Sequence, residues 1–328
     1  MDRAFPTTAD GFVLASDLRS AGREAELYAA VSNGTLERIR RGVFTYAAPN
    51  DETRSASQRD AMRYLTAVRA CALSRRNPVF TSFSAVALTG LPIIGSWPRH
   101  LYVMSGNSKG SRRREVISVA RTAEVPTAMT AGLVTTALEF SLVQLARHAS
   151  LVAAVVATDA ALRVSRGADA PPPLTTPATL WAEHERLLPY HGSRRVEAVF
   201  ERAVTGADTP LETASRLVIE EFGFPAPVLQ HRLMLADLGR AAYLDFFWAE
   251  YGVAAEADGR GKYLGDGVDA TVDAVLAEKA REDAIRAQVS GFARWDWAEM
   301  WQREPIRVRL ERAGLPVTRR PVRLFTTS

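Results

Sequence analysis

The sequence predicts an α/β protein of more than one domain, and three observations predict it. At 328 residues the chain is about twice the roughly 150 residues of an ordinary domain, ample to bury a real core. Hydrophobic residues are 47% and charged residues 24%, the balance of a soluble globular chain, which excludes disorder throughout. Stretches with helical spacing of apolar residues alternate along the chain with short strand-like runs. The single cysteine, Cys71, cannot pair within the chain and carries no metal spacing, so a reducing, cytoplasmic location is expected. The excess of 41 basic over 37 acidic residues is too small to identify a nucleic-acid partner, and the distribution of charge has to carry that question. The opening MDRAFPTTADGFVLASDLR lacks the positive stretch and apolar core of an export signal. The longest apolar-rich stretch, around AAVVATDAALR, is broken by Asp159 and Arg163, short of the roughly 18 residues a membrane helix needs. No membrane partner is expected.

The first segment, residues 1–50, reads as a helical unit ending in a basic hairpin. One helix covers Ser16 to Ala21, stopped by Gly22, and a second runs from Arg23 to Ser32, with Leu27, Ala30 and Val31 as its buried stripe and Asn33-Gly34 as its stop. In LERIRRGVFTYA, Leu36, Ile39, Val43 and Phe44 can pack inward while Arg38, Arg40 and Arg41 project beside Gly42. Two short helices followed by an arginine-bearing two-stranded turn is the plan of a winged helix, a DNA-binding candidate.

The second segment, 55–200, is a mixed helical middle domain. It begins with a helix over SQRDAMRYLTAVRACAL and a shorter one from Ser82 or Ser84, closing near Gly90. LYVMS and VISVA alternate as strands around a polar loop, SGNSKGSRRRE. Helices are expected over 131–147 and 150–165, a Pro- and Ala-rich linker over 167–178, and further helices over Trp181–Leu188 and near Val196.

The third segment, 207–328, opens with a helix at TPLETASRLVIEEFG, where Thr209 caps, Pro210 takes the first helical position and Glu212 is third after the cap. Strand-like VLQHRLML, a turn at ADLGR, strand-like AAYLDFFWAEY and then VAAEAD follow. A long helix over 269–290 carries Val272, Val275, Leu276 and Ile285 on one side, the aromatic strand FARWDW comes next, and a helical tail leads into basic RRPVRLF. Helix, three strands, helix, strand makes a mixed sheet flanked by helices, with a crossover connection.

Chemistry concentrates in this third segment. Glu256 and Asp258 share a strand face, Asp245 on the neighbouring strand can meet them, and Glu212 lies on the preceding helix. Oxygens so placed suit a hard divalent cation, Mg2+ or Mn2+, that would position a water and offset phosphodiester charge. Without cation or hydrogen bonds, the carboxylates would raise one another's pKa. The alternative is that they are solvated acids at strand ends, with Glu212 serving only the helix start.

PLETASRL, YLDFFWAEYGVAAEADGRGKY and LAEKAREDAIRAQVSGFARWDW together resemble the PD-(D/E)xK nuclease superfamily, particularly bacterial domains similar to the very-short-patch mismatch-repair endonuclease, over about 207–300. The resemblance implies a restriction-endonuclease-like core and carries the family's helix glutamate, strand aspartate and next-strand glutamate onto Glu212, Asp245 and Glu256. Asp258 stands where the strict pattern expects lysine; related domains often keep an acidic residue there, which would make it a metal ligand. Lys262, or Lys279 on the long helix, is the local substitute for a lysine acting on the attacked phosphate; the plain alternative for Lys262 is a solvated loop cation. Glu278, Arg281 and Glu282 read as helix-surface pairs, and Arg294 as a phosphate contact or a salt-bridge partner.

At the other end, GFVLASDLRSAG and LYAAVSNGTLERIRRGVFTYA are similar to the winged helix of AbiEi-type antitoxins, from a bacterial abortive-infection toxin–antitoxin system. VFTSFSAVALTGLP, VISVART and TTALEFSLVQLARHASLVAAVVATDAALR are similar to the region that accompanies it. This resemblance implies operator binding, repression of the chain's own operon and a partner toxin. Arg38, Arg40 and Arg41 would meet phosphates of double-stranded DNA, one of them able to enter the minor groove, with Arg23 a candidate on the preceding helix. Lys109, Arg112, Arg113 and Arg114 form a second positive patch. The scattered histidines show no metal spacing, Cys71 reads as core, and no phosphate-cradling loop or dinucleotide fingerprint is present. The leading expectation is a DNA-binding defence or regulatory protein with a metal-dependent endonuclease-like domain. A non-catalytic antitoxin-like repressor and a protein-interaction module are the alternatives.

Overall fold

Gly42, with φ of +77°, makes the tight turn that lets Arg38–Arg41 and Val43–Tyr46 return on one another, and the local structure of the chain builds out from such signals. A computed structural model describes residues 5–47, 53–167, 169–259 and 272–325. It is an α/β structure, divided into one unit of Met1–Leu91 with Gly95–Leu145 and a second of Pro92–Ile94 with Ala146–Ser328.

The first unit starts with β1 (Phe12–Leu14), α1 (Ala15–Ser20), α2 (Glu24–Ser32), β2 (Leu36–Arg40) and β3 (Val43–Tyr46). The strands form an antiparallel sheet in the order β1-β3-β2. Val13, Leu18, Leu27, Leu36 and Phe44 fill its core, of which Leu27, Leu36 and Phe44 are inward residues that the apolar spacing predicts. Next, α3 (Ala56–Ser74) is opened by a capping box in which Ser55 Oγ accepts from Gln58 N and Gln58 Oε1 accepts from Ser55 N. Its Ala70 packs against Phe12 and Val43, so α3 covers the sheet.

Further along the same unit, α4 (Ser82–Thr89) ends at Gly90 in the left-handed region. The strands β4 (Leu101–Met104), β5 (Ser111–Arg112) and β6 (Val116–Val119) form a small sheet, β4 and β6 parallel, β5 and β6 antiparallel. The arginine loop therefore contains a short strand of its own. A hairpin of β7 (Thr127–Thr130) and β8 (Leu133–Thr136) follows, where a helix from 131 was expected. Ala131 and Gly132 both take positive φ, +48° and +80°, the paired left-handed geometry of a tight hairpin turn, and Thr- and Val-rich flanks favour strands. The helix α5 (Leu138–His148) starts only after it.

In the second unit α6 (Leu151–Leu162) is buried on nearly every face, and α7 (Pro177–Leu187) and α8 (Ser193–Phe200) follow. Asp159 of α6 accepts bonds from Val204 N, Thr213 Oγ1 and Arg216 Nη2 at 2.8, 2.9 and 3.0 Å. Those bonds tie α6 to α9 (Pro210–Glu221), whose start is capped by Thr209 Oγ1 accepting from Glu212 N. Strands β9 (Val228–Leu235), β10 (Arg240–Trp248), β11 (Val253–Ala257) and β12 (Gly291–Trp295) lie in the order β12-β11-β10-β9, antiparallel except for β11 and β12. The parallel step is crossed by α10 (Val272–Arg286); the expected helical residues 269–271 lie outside the described residues. Ile285 is buried as predicted, but Leu276 is 57% exposed, a correction to the proposed apolar stripe.

Helices flank this sheet. Ser215 of α9 accepts from Trp295 Nε1 at 2.8 Å, and Trp295 stacks on Phe246. Ile285 of α10 packs with Ala254 and Phe292, which alternation puts on the other face from Trp295. After α11 (Trp297–Gln302) and α12 (Glu304–Arg312), the basic tail lies across the end of α9. Gly223 O accepts from Thr318 N and Arg319 N. The Glu221 carboxylate accepts from Leu324 N, Phe325 N and Arg303 Nη1 at 3.1, 2.9 and 2.7 Å. Among the described residues no helix is long and apolar enough to cross a membrane.

Candidate active site and nucleic-acid interface

The β10–β11 ladder stops at Phe246↔Ala255, while β11 stays paired with β12 through Glu256↔Arg294 and Ala257↔Trp295. The sheet therefore forks one step beyond Phe246, where Asp245 and Glu256 face each other across the opening. Asp245 Oδ2 accepts from Ala257 N at 2.8 Å, supplying that amide with the acceptor the ladder no longer offers. On the other side, Asp245 lies between the pairs Leu244↔His231 and Phe246↔Leu229, opposite Gln230. Gln230 Nε2 donates to Asp245 Oδ1 at 3.0 Å and to Glu212 Oε2 at 2.8 Å. One amide thus joins the helix glutamate to the strand aspartate. Glu212 is nearly fully buried and also accepts from Asp208 N and Thr209 Oγ1 at 3.0 and 2.9 Å.

Crowding shows in the proton affinities. Burial, then the charges of Glu212 and Glu256, push the Asp245 carboxyl up to about 7, against the pull of the Ala257 and Gln230 bonds. Glu212 is raised as well, chiefly by burial. Glu256 has a different environment. Its two oxygens accept from Arg281 Nη2, at 2.5 Å, and from Arg294 Nη2, and those guanidiniums also reach Glu278 and Glu282. Burial works against the Arg294 charge, and its bonds to Glu256, Glu282 and Glu278 together outweigh that, so its pKa rises. The helix-surface pair of Arg281 with Glu278 is present at 3.1 Å, but Arg281 and Arg294 also serve as the counter-charge of a buried strand glutamate.

Asp258 lies just past β11, its N–H donating to Trp295 O at 2.8 Å; its carboxylate has no hydrogen-bond or ion-pair partner among the described residues. Lys262 lies outside the described residues. Lys279 is exposed on α10. Among the described residues no three His, Cys, Asp or Glu side chains are grouped as a metal-holding set: Asp245 and Glu212 meet through Gln230, whereas Glu256 is engaged by arginines. Trp295 is core, and Trp301 is exposed.

In the first unit the β2–β3 turn borders a cavity of about 550 Å³ lined by Arg38, Ile39, Arg40, Arg41, Ser74, Arg75, Arg114 and Glu115. The packing of α3 against β2 and β3 puts its C-terminal Ser74 and Arg75 beside the hairpin. Arg40 pairs with Glu115 at 3.1 Å, while its Nε is buried without a hydrogen-bond partner. The side chains of Arg41, Arg75 and Arg114 make no hydrogen bond or ion pair among the described residues. The two basic patches of the sequence thus meet through Arg114; Arg112 and Arg113 are exposed but do not line the cavity. Arg23 is held by Glu26 at 2.7 Å and lies over the Phe5 ring, apart from this group.

Sequence reasoning missed Gln230, Arg281 as a partner of Glu256, and Arg75. Gln230 carries no motif signal; only strand register places it. Arg75 reads as a helix-end cation, and only the packing of α3 brings it to the hairpin. Compared with known proteins, the chain matches no protein-family model and no curated protein sequence.

Proposed function

We propose that this chain is a DNA-binding phosphodiesterase: a winged helix in the first unit holds duplex DNA, and a PD-(D/E)xK-like site in the second hydrolyses a phosphodiester with Mg2+ or Mn2+. The observation that carries the reading is Asp245, a partly buried aspartate lifted to about 7 between Glu212 and Glu256 at a strand fork. Ionisable groups so perturbed cluster at functional sites. The order strand, two helices, hairpin in the first unit supports the winged-helix part, and the mixed sheet with its α10 crossover supports the nuclease-like part.

The donor chemistry fits a hard cation. Asp245, Glu256, Asp258 and Glu212 offer only oxygens, and the charges of Glu212 and Glu256, which add to burial in lifting Asp245, are what a cation offsets. Asp245, Glu256 and Asp258 would hold it, with Glu212 assisting; once bound it supplies charge neutralisation at the phosphate and an activated water. The rest is the work of the chain's own residues. Gln230 holds Glu212 and Asp245 in a fixed relation, the Ala257 amide orients Asp245, and Arg281 with Arg294 holds the Glu256 carboxylate in place. The Trp295 to Ser215 bond fixes β12 against α9 and so steadies Arg294.

The test is nicking of supercoiled plasmid with Mg2+ or Mn2+. Cleavage that Asp245→Asn and Glu256→Gln abolish, in proteins that melt no lower than the parent, supports the enzyme. A second reading, an antitoxin-like repressor on a nuclease-type scaffold, is favoured by the double arginine pairing of Glu256 and by Asp258 in place of lysine. It predicts salt-sensitive duplex binding with no cleavage under either metal.

A further inference from the structure

Among the described residues, five guanidinium groups and one carboxylate line the cavity beside the β2–β3 turn. Of these five, only Arg40 has a counter-charge within the chain among the described residues, Glu115. Arginines gathered in a concave site repel one another and focus a positive potential, and an anion relieves both. The volume, about 550 Å³, lies within the ordinary range of ligand clefts, yet among the described residues the lining has no aromatic ring and one aliphatic side chain, Ile39. Such a surface offers a base or an apolar group little, and offers phosphate oxygens many planar donor forks. The arginines come from three separate parts of the chain: the hairpin, the C-terminal end of α3 and the loop before β6. Arg38 and Arg41 are exposed on the open side of the turn, so a long polyanion can cross the cavity mouth instead of having to fit inside it.

We propose that Arg75 and Arg114 complete, with Arg38, Arg40 and Arg41, a phosphate grip for adjacent backbone phosphates of one strand of duplex DNA, tempered by Glu115. The proposal rests on the reading of duplex DNA as the partner and assigns that contact to residues outside the winged helix. Each phosphate contact contributes about 0.9 to the slope of log affinity against log salt, so its loss weakens binding about eightfold at 0.1 M relative to 1 M salt.

The experiment is fluorescence anisotropy with a labelled duplex of about 20 base pairs, two helical turns, titrated across salt concentrations on the full chain. Arg75→Ala and Arg114→Ala are each expected to weaken binding about eightfold at 0.1 M salt and to lower the salt slope by about one. Arg75→Lys retains most of the affinity, and Glu115→Gln strengthens it. Unchanged melting temperatures exclude misfolding. If Arg38→Ala and Arg41→Ala weaken binding while Arg75→Ala and Arg114→Ala match the parent in affinity and slope, the grip is refuted and the DNA reading stands. If the parent binds no duplex at low salt, both fail. Calorimetric titration with inorganic tripolyphosphate separates the other source of closely spaced phosphates: saturable binding that Arg75→Ala abolishes, with duplex affinity unaffected, overturns the assignment to DNA.

Discussion

Replacing Asp245 by asparagine should stabilise the metal-free second unit at alkaline pH and not in acid. Asparagine retains an oxygen to accept from Ala257 N, gives up the acceptor that Gln230 Nε2 meets, and removes the buried charge that Glu212 and Glu256 oppose. The carboxyl is lifted from 3.8 to about 7, which corresponds to about 4 kcal/mol of native-state penalty once both states are ionised. Relaxation of the surroundings and loss of the Gln230 bond reduce this, so a gain of about 2–4 kcal/mol is expected. The sign follows from the raised value. Below about pH 4 the carboxyl is protonated in both states and there is no penalty; from about 4 to 7 the unfolded chain ionises first, so stability falls as pH rises; above about 7 the penalty is complete. Urea unfolding followed by tryptophan fluorescence, with a chelator present, measures it at pH 4 and pH 8. Trp248 and Trp295 on the same sheet report on the unit concerned. A parent and variant of equal stability at pH 8, or a gain of the same size at both pH values, would refute the origin of the effect in Asp245 ionisation.

Two further predictions concern the strap that closes the second unit. At Gly223, φ is +79° and an added Cβ would lie 2.2 Å from Arg319 O; Gly223→Ala should therefore lose more than about 2 kcal/mol in urea, since left-handed backbone alone costs an L-residue roughly 1–2. Glu221→Ala leaves the Leu324 and Phe325 amides and the Arg303 guanidinium without their acceptor. A loss of about 3 kcal/mol is expected, together with faster trypsin cleavage in the tail at Arg319, Arg320 or Arg323, measured by mass spectrometry.

Local signals account for what the sequence made legible. Thr209-Pro210 before Glu212 announced α9, alternation announced β9 and β10, and the arginines around Gly42 announced the first hairpin. Glu212 and Asp245 were singled out as carboxylates from the sequence before the Gln230 amide that both accept from was visible. The β7–β8 hairpin was not legible as strands, because the leucine-rich spacing of α5 runs on directly behind Thr136 and draws a helical reading upstream. Gln230 and Arg75 lay beyond local reasoning for a different cause. Each acquires its role from pairing or packing with distant residues, and neither residue type announces that by itself. Arg281 had a sufficient local partner in Glu278, which concealed its second partner, Glu256.

Gln230, Asp245, Glu256 and Arg294 form a single row across all four strands, and that alignment is indexed by the bend between β9 and β10. The bend is a 3₁₀ turn at Ala236–Leu238 closed by Gly239 in the left-handed region, about twenty ångströms of strand from the fork at the usual rise per residue. One residue added there would slide β9 by a notch, carry Gln230 past Asp245 and turn its side chain to the opposite surface. A short bend that touches neither acid thus acts as the alignment pin for both, and loop-length variation at 236–239 should be far less tolerated than its exposure suggests.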